Sequence, residues 1–119
     1  MHAGTVHTEV IRLDHAKVVV LSGELDADTA GGLRTLLAEQ LLDGPSDLVI
    51  DLSDLGFIDS AGLGTLIAAS KGAHRAGVEL VLAGPVPAVK RVMRLTGIDV
   101  VLASKDSVDD ALAHLDARR

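Results

Sequence analysis

Phe57-Ile58-Asp59-Ser60-Ala61-Gly62-Leu63-Gly64 marks a change in hydrophobic period. Just upstream, Leu48-Val49-Ile50-Asp51-Leu52 is the short apolar run of a buried strand. Downstream, Leu63, Leu66, Ile67 and Ser70 recur at helical spacing up to Lys71, and Ala73 extends the same face. The chain therefore passes from strand to helix inside this stretch, and Ser60 falls at or next to the helix N-cap. A side-chain oxygen there accepts a backbone N–H that the helix leaves unpaired. The same N–H groups and the positive end of the helix dipole also suit a phosphate. Ser60 is read as a cap, a phosphate acceptor, or both.

Working outward, Val6, Glu9, Val10, Ile11 and Leu13 form an irregular first strand, and Asp14-His15-Ala16 turns it into Lys17-Val18-Val19-Val20-Leu21. That second strand is expected to end at Ser22-Gly23. Glu24-Leu25-Asp26-Ala27-Asp28-Thr29 follows, with helix-starting chemistry at Asp26 and Asp28. Leu33, Leu36, Leu37, Gln40 and Leu41 place one face of this helix inward, and Gly44-Pro45-Ser46 stops it. Gly31 and Gly32 cost about 1 kcal/mol each relative to alanine, so its first turn is its weakest part. The helix beginning at Ser60 runs to about Ala76. Val78 to Leu82 is the next strand, and Pro87 opens a third helix with Val89, Val92 and Met93 on its inner stripe. Thr96-Gly97 closes it, Val100-Val101-Leu102 is expected to be a short last strand, and Ser107 caps a final helix carrying Val108, Ala111, Leu112 and Leu115. The order ββαβαβαβα predicts an α/β domain with a mixed sheet of four to five strands and about four helices. Only the first few residues and Ala117-Arg118-Arg119 are expected to fray, which leaves a core of about residues 5–116.

A chain of 119 residues makes one domain with a real core. Its apolar fraction is 48%, yet Phe57 is the one aromatic, so aliphatic side chains must fill the interior. No apolar run reaches the length that spans a bilayer, and Met1-His2-Ala3-Gly4-Thr5 has neither the basic segment nor the apolar core of a signal peptide. The expectation is a soluble, cytoplasmic protein without membrane contact. With no cysteine, disulfides, thiolate metal sites and a cysteine nucleophile are excluded together. A formal charge of −6 and the lack of stacking aromatics argue against nucleic acid as a direct partner. Lys90, Arg91 and Arg94 form one basic cluster, read as the solvated side of a helix.

Three chemistries can be tested against the motif. A nucleophile elbow needs glycine two positions before the serine, and position 58 is Ile. The histidines His15, His74 and His114 lie in a turn or on helices with no evident orienting partner, and His2 and His7 lie near the terminus. A nucleotide loop needs Lys followed by Ser or Thr after its second glycine, whereas the chain has Gly64-Thr65-Leu66. Gly62 and Gly64 then read as close packing of the helix start against the sheet or a partner. Glu24, Asp26 and Asp28 could share a hard cation, but no calcium-loop pattern follows and their spacing suits a capping loop. No catalytic residue, metal ligand or cofactor is assigned.

Three segments together resemble one family: Ser22-Gly23-Glu24-Leu25-Asp26, Phe57 to Gly64, and Pro87-Ala88-Val89-Lys90-Arg91-Val92-Met93-Arg94-Leu95-Thr96-Gly97. In order and spacing they are similar to the STAS domain family, specifically bacterial anti-sigma factor antagonists. The resemblance implies a small α/β domain that binds an anti-sigma factor that is also a serine kinase, frees a sigma factor, and is switched off by phosphorylation of one serine. That serine matches Ser60, after Asp59. The family's acidic residue in the first loop matches Asp26, with Glu24 beside it. Where some members carry a second serine, this chain has Ala61. The implied partner surface is Glu24, Asp26, Asp59, Ser60, Ala61, Gly62, Leu63 and Gly64. A non-catalytic STAS module that binds a ligand or assembles a complex without phosphorylation is the alternative, and exposed strand edges leave room for a homodimer.

Overall fold

The computed structural model describes residues 4–118. Strands β1 (Val6–Arg12) and β2 (Ala16–Leu25) form an antiparallel pair closed by the Leu13 N–H bond to the Ala16 carbonyl, 2.8 Å. Helix α1 (Ala30–Leu42) crosses over to β3 (Asp47–Ile58), which lies parallel to β2. Helix α2 (Ser60–Arg75) leads to β4 (Leu80–Ala83), α3 (Pro87–Thr96) to the single turn α4 (Ile98–Val101), and β5 (Ser104–Lys105) to α5 (Val108–Asp116). The strands stand in the order β1-β2-β3-β4-β5 and all but β1 run parallel to their neighbours.

Strand alternation divides the apolar residues between two faces. Val19, Leu21, Leu48, Ile50, Leu52, Leu80 and Leu82 point to the face covered by α1 to α4, where Leu33, Leu37, Leu63, Leu66, Val89 and Met93 complete the main core. Val18, Val49, Val81 and Ala83 point the other way, under Ala111 and Leu115 of α5. The second face is thus covered by one helix and the first by four. No helix among the described residues is long and apolar enough to cross a membrane.

Two strands are longer than their apolar runs. β2 does not end at Ser22-Gly23. It continues to Leu25 with irregular register beside β3, and Gly23 takes φ +100°, a backbone conformation open to glycine. β3 continues from Leu52 to Ile58, whereas β4 stops at Ala83 opposite Asp51. The β2–β3 pair therefore projects beyond its neighbour and carries the loops at its tip.

The expected strand at Val100-Val101-Leu102 is not formed. Gly97 adopts φ +77° and starts the α4 turn, in which the Leu102 N–H bonds the Ile98 carbonyl at 2.9 Å. Ile98 and Leu102 are both buried by this i, i+4 spacing, while Val100 and Val101 are left exposed. Burial of the flanking pair outweighs the weak β-preference of two valines. The expected fraying at Ala117-Arg118 is also modified, since Arg118 pairs with Glu79. The expectations for the first residues and for Arg119 lie outside the described residues.

Candidate functional site

The tips of β2 and β3 sit side by side, with Leu25 opposite Ile58, and the Asp59 N–H bonds the Leu25 carbonyl at 3.1 Å. Asp59 is the single residue between β3 and α2. Its extended backbone turns its side chain over the helix start, where Oδ1 accepts the N–H groups of Ala61 and Gly62 at 2.9 and 3.1 Å. Asp59 is therefore the N-cap, a role worth about 1 kcal/mol. Of the readings left open for Ser60, the cap falls away. Ser60 is the first residue of α2 and is exposed.

The two glycines of the motif differ physically. A Cβ at Gly62 would lie 2.7 Å from the Leu25 carbonyl oxygen and from Leu25 Cγ, and 2.8 Å from Ile58 Cγ1. Gly62 is thus what lets α2 press against the β2 tip. A Cβ at Gly64 would meet nothing within 4 Å. No internal contact requires glycine there. Leu63 is buried in the main core, and Ala61 is half-buried beside Ser60.

The first loop is tied into itself. Asp26 Oδ1 accepts the N–H groups of Asp28 at 2.9 Å and Thr29 at 3.2 Å. The Thr29 hydroxyl accepts the Asp26 N–H at 2.9 Å and donates to the Glu24 carbonyl at 3.0 Å. The Asp26 carboxylate thus ties the turn that precedes α1 and not the helix itself, whose N-cap is Thr29 without a side-chain cap, so the helix-starting role expected of Asp26 and Asp28 is not made. Beneath it lies the N-terminal backbone: the Glu24 N–H bonds the Thr5 carbonyl at 2.8 Å, and a Cβ at Gly4 would overlap Asp26 Oδ2.

The fold therefore brings Glu24 and Asp26 to the same end of the sheet as Asp59, Ser60, Ala61, Gly62, Leu63 and Gly64. Sequence reasoning missed Gly4 and Thr29, and it left Phe57 out of the surface although that side chain is 47% exposed at the strand tip. The Thr29 signal was present, since a threonine three residues after an aspartate is a common reciprocal turn. Gly4 gave no local signal. Among the described residues, no group of three or more Asp, Glu or His side chains is placed to hold a metal ion.

The other end of the sheet is built differently. Lys17 is 4% exposed, and its ammonium donates to the Gln40 and Asp43 carbonyls at 2.8 and 2.7 Å, closing the C-terminus of α1. Arg12 bonds the Asp43 carboxylate at 2.7 Å. That hydrogen bond and the charge of Arg12, with Lys17 adding to it, hold the Asp43 carboxyl below its ordinary range. Glu79 binds Arg118 and, at 3.3 Å, His114, which gives His114 the partner that its sequence context did not reveal. Of the basic cluster, Lys90 reaches Asp106 at 3.8 Å.

The STAS domain family model matches residues 7–111. The chain belongs to the STAS domain family. Among its relatives, the anti-sigma-F factor antagonist RsfB of Mycobacterium tuberculosis is 38% identical over 102 residues, covering 83% of this chain and 82% of RsfB. The crystal structure of an anti-sigma factor antagonist from Mycobacterium paratuberculosis superposes with a TM-score of 0.86 at 33% identity, covering 94% of this chain and 95% of the other. The Bacillus cell fate determinant SpoIIAA in its phosphorylated form shares the STAS fold with a TM-score of 0.68 at 18% identity, covering 91% and 98% of the two chains. The curated relatives of this STAS chain are named as antagonists, and the mixed sheet of five strands falls within the four to five expected, its last strand being Ser104–Lys105 in place of Val100–Leu102.

Proposed function

We propose that this single STAS domain is an anti-sigma factor antagonist. It binds an anti-sigma factor with serine kinase activity through Glu24, Asp26 and the segment from Asp59 to Gly64, and phosphorylation of Ser60 releases it. The protein performs no catalysis of its own and acts in the cytoplasm, where sigma factors meet polymerase. The observation that carries this reading is the division of labour at the start of α2. Asp59 caps the helix, so the exposed Ser60 hydroxyl is not needed for the fold.

A phosphate on Ser60 adds about −1.5 to −2 charges at neutral pH. It would stand next to Asp59, whose carboxylate already occupies the Ala61 and Gly62 N–H groups. No lysine or arginine occurs between residues 35 and 70 to offset it within the neighbouring sequence. The domain is therefore expected to keep its fold while its partner surface changes charge. The named relatives and the existence of a phosphorylated form of SpoIIAA support this reading.

The test uses the anti-sigma factor of the same organism with ATP. The parent protein should gain one phosphate and lose affinity, and Ser60→Ala should remain bound. Tight binding by Ser60→Asp, equal to that of the parent, would sink the switch.

A further inference from the structure

Phe57 is the one aromatic residue of the chain, and the fold leaves it 47% exposed at the tip of β3. The register explains why. Leu55 and Ile58, three residues apart, are both buried in the main core, so the alternation of β3 is broken between them, where its register with β2 shifts, and Phe57 falls in that interruption. Phe57 belongs neither to the main core nor to the smaller cluster of Val18, Val49, Val81 and Ala83 under α5. Acidic residues flank it, with Glu24 opposite Phe57 across the strands, and Asp54 three residues before it and Asp59 two after it along the chain. Between Val18 and Leu33, and again between Leu48 and Ser70, there is no lysine or arginine.

At an interface, aromatic side chains are enriched among the residues that dominate affinity. The acidic surround sets the complement required across from it, since opposed potentials favour docking and like charges oppose it.

We propose that Phe57 is the apolar anchor of the docking surface, seated in an apolar socket rimmed by cationic groups on the anti-sigma factor. This rests on the antagonist reading given above and adds the chemistry of the partner to it. Calorimetric titration of the purified anti-sigma factor of the same organism against the parent, Phe57→Leu and Phe57→Ala tests it, at low and at high salt, with melting curves of each variant. Phe57→Ala should lose roughly 30-fold in affinity, about 2 kcal/mol at 1.4 kcal/mol per tenfold, with a smaller loss of folding stability because the ring is only half buried. Phe57→Leu should lose less, and binding of the parent should weaken with salt. Equal affinity for Phe57→Ala and the parent overturns the anchor, as does a loss matched by a fall in melting temperature. Salt-independent binding overturns the cationic rim. A parent that fails to bind removes the antagonist reading and the anchor together, which separates that failure from the others.

Discussion

The two ends of the sheet solve the same problem, the unpaired backbone groups and charges of strand and helix termini, in opposite ways. At the end that carries Arg12, Lys17 and Glu79, cations are turned inward or paired. Lys17 satisfies two carbonyls of α1, Arg12 holds Asp43, and Glu79 takes up His114 and Arg118. At the end that carries Ser60, one carboxylate oxygen caps α2, another ties the turn before α1, and a hydroxyl and an aromatic ring are left exposed. One end is closed by groups that find their partners within the chain. The other satisfies its backbone and leaves Ser60 and Phe57 exposed.

The largest break in this contrast should come from Gly62→Ala. The added methyl meets the Leu25 carbonyl oxygen, which is backbone and cannot swing aside, so destabilisation of about 3 kcal/mol is expected, the upper range for overpacking. A fall of ten degrees or more in melting temperature, on the order of 4 °C per kcal/mol, would show it. Lys17→Met should follow at about 1–3 kcal/mol, because it strips two carbonyls of their donor while keeping the apolar stem. Urea unfolding measures this, and a midpoint equal to the parent's would mean that water replaces the ammonium.

Gly64→Ala should act with the opposite sign. Its Cβ enters open space on a helix, so stability should rise by about 0.4–1 kcal/mol, while affinity for the anti-sigma factor should fall if backbone is approached there. The smallest effect belongs to Arg12 and Asp43. Because the folded carboxyl lies below its ordinary value of 3.8, the pair contributes stability that is present above that value and is lost as pH falls through the folded one. The difference in urea midpoint between the parent and Arg12→Ala should therefore be constant at neutral pH and shrink in acid. A difference that grows on acidification would reverse the assignment.

Much of the fold was legible because its strands are rich in β-branched and leucine residues and its helices repeat at one spacing. The exceptions are instructive. Val100-Val101-Leu102 reads as a strand by composition, but Ile98 and Leu102 are what the core takes in, and the valines between them are spectators. Leu52 to Ile58 alternates poorly, so the strand was read as ending early; its continuation depends on pairing with β2, which lies far away in sequence. At the site, Ser60 was placed correctly next to the helix start, yet the capping atom belongs to Asp59, a choice made by backbone angles that composition does not encode. Phe57 was legible as a motif residue and not as an exposed one. Its exposure follows from the register shift beside it, which depends on the distant β2 and leaves no local signal.

A single residue joins β3 to α2, and that residue is held by Leu25 on one side and by the first N–H groups of the helix on the other. Such a junction has no slack. A group added at position 60 cannot be carried away by a retreating loop or folded back against the domain, so its charge stays at fixed coordinates relative to the sheet. A domain modified there would behave as a rigid stamp, with the ink changed rather than the shape of the die.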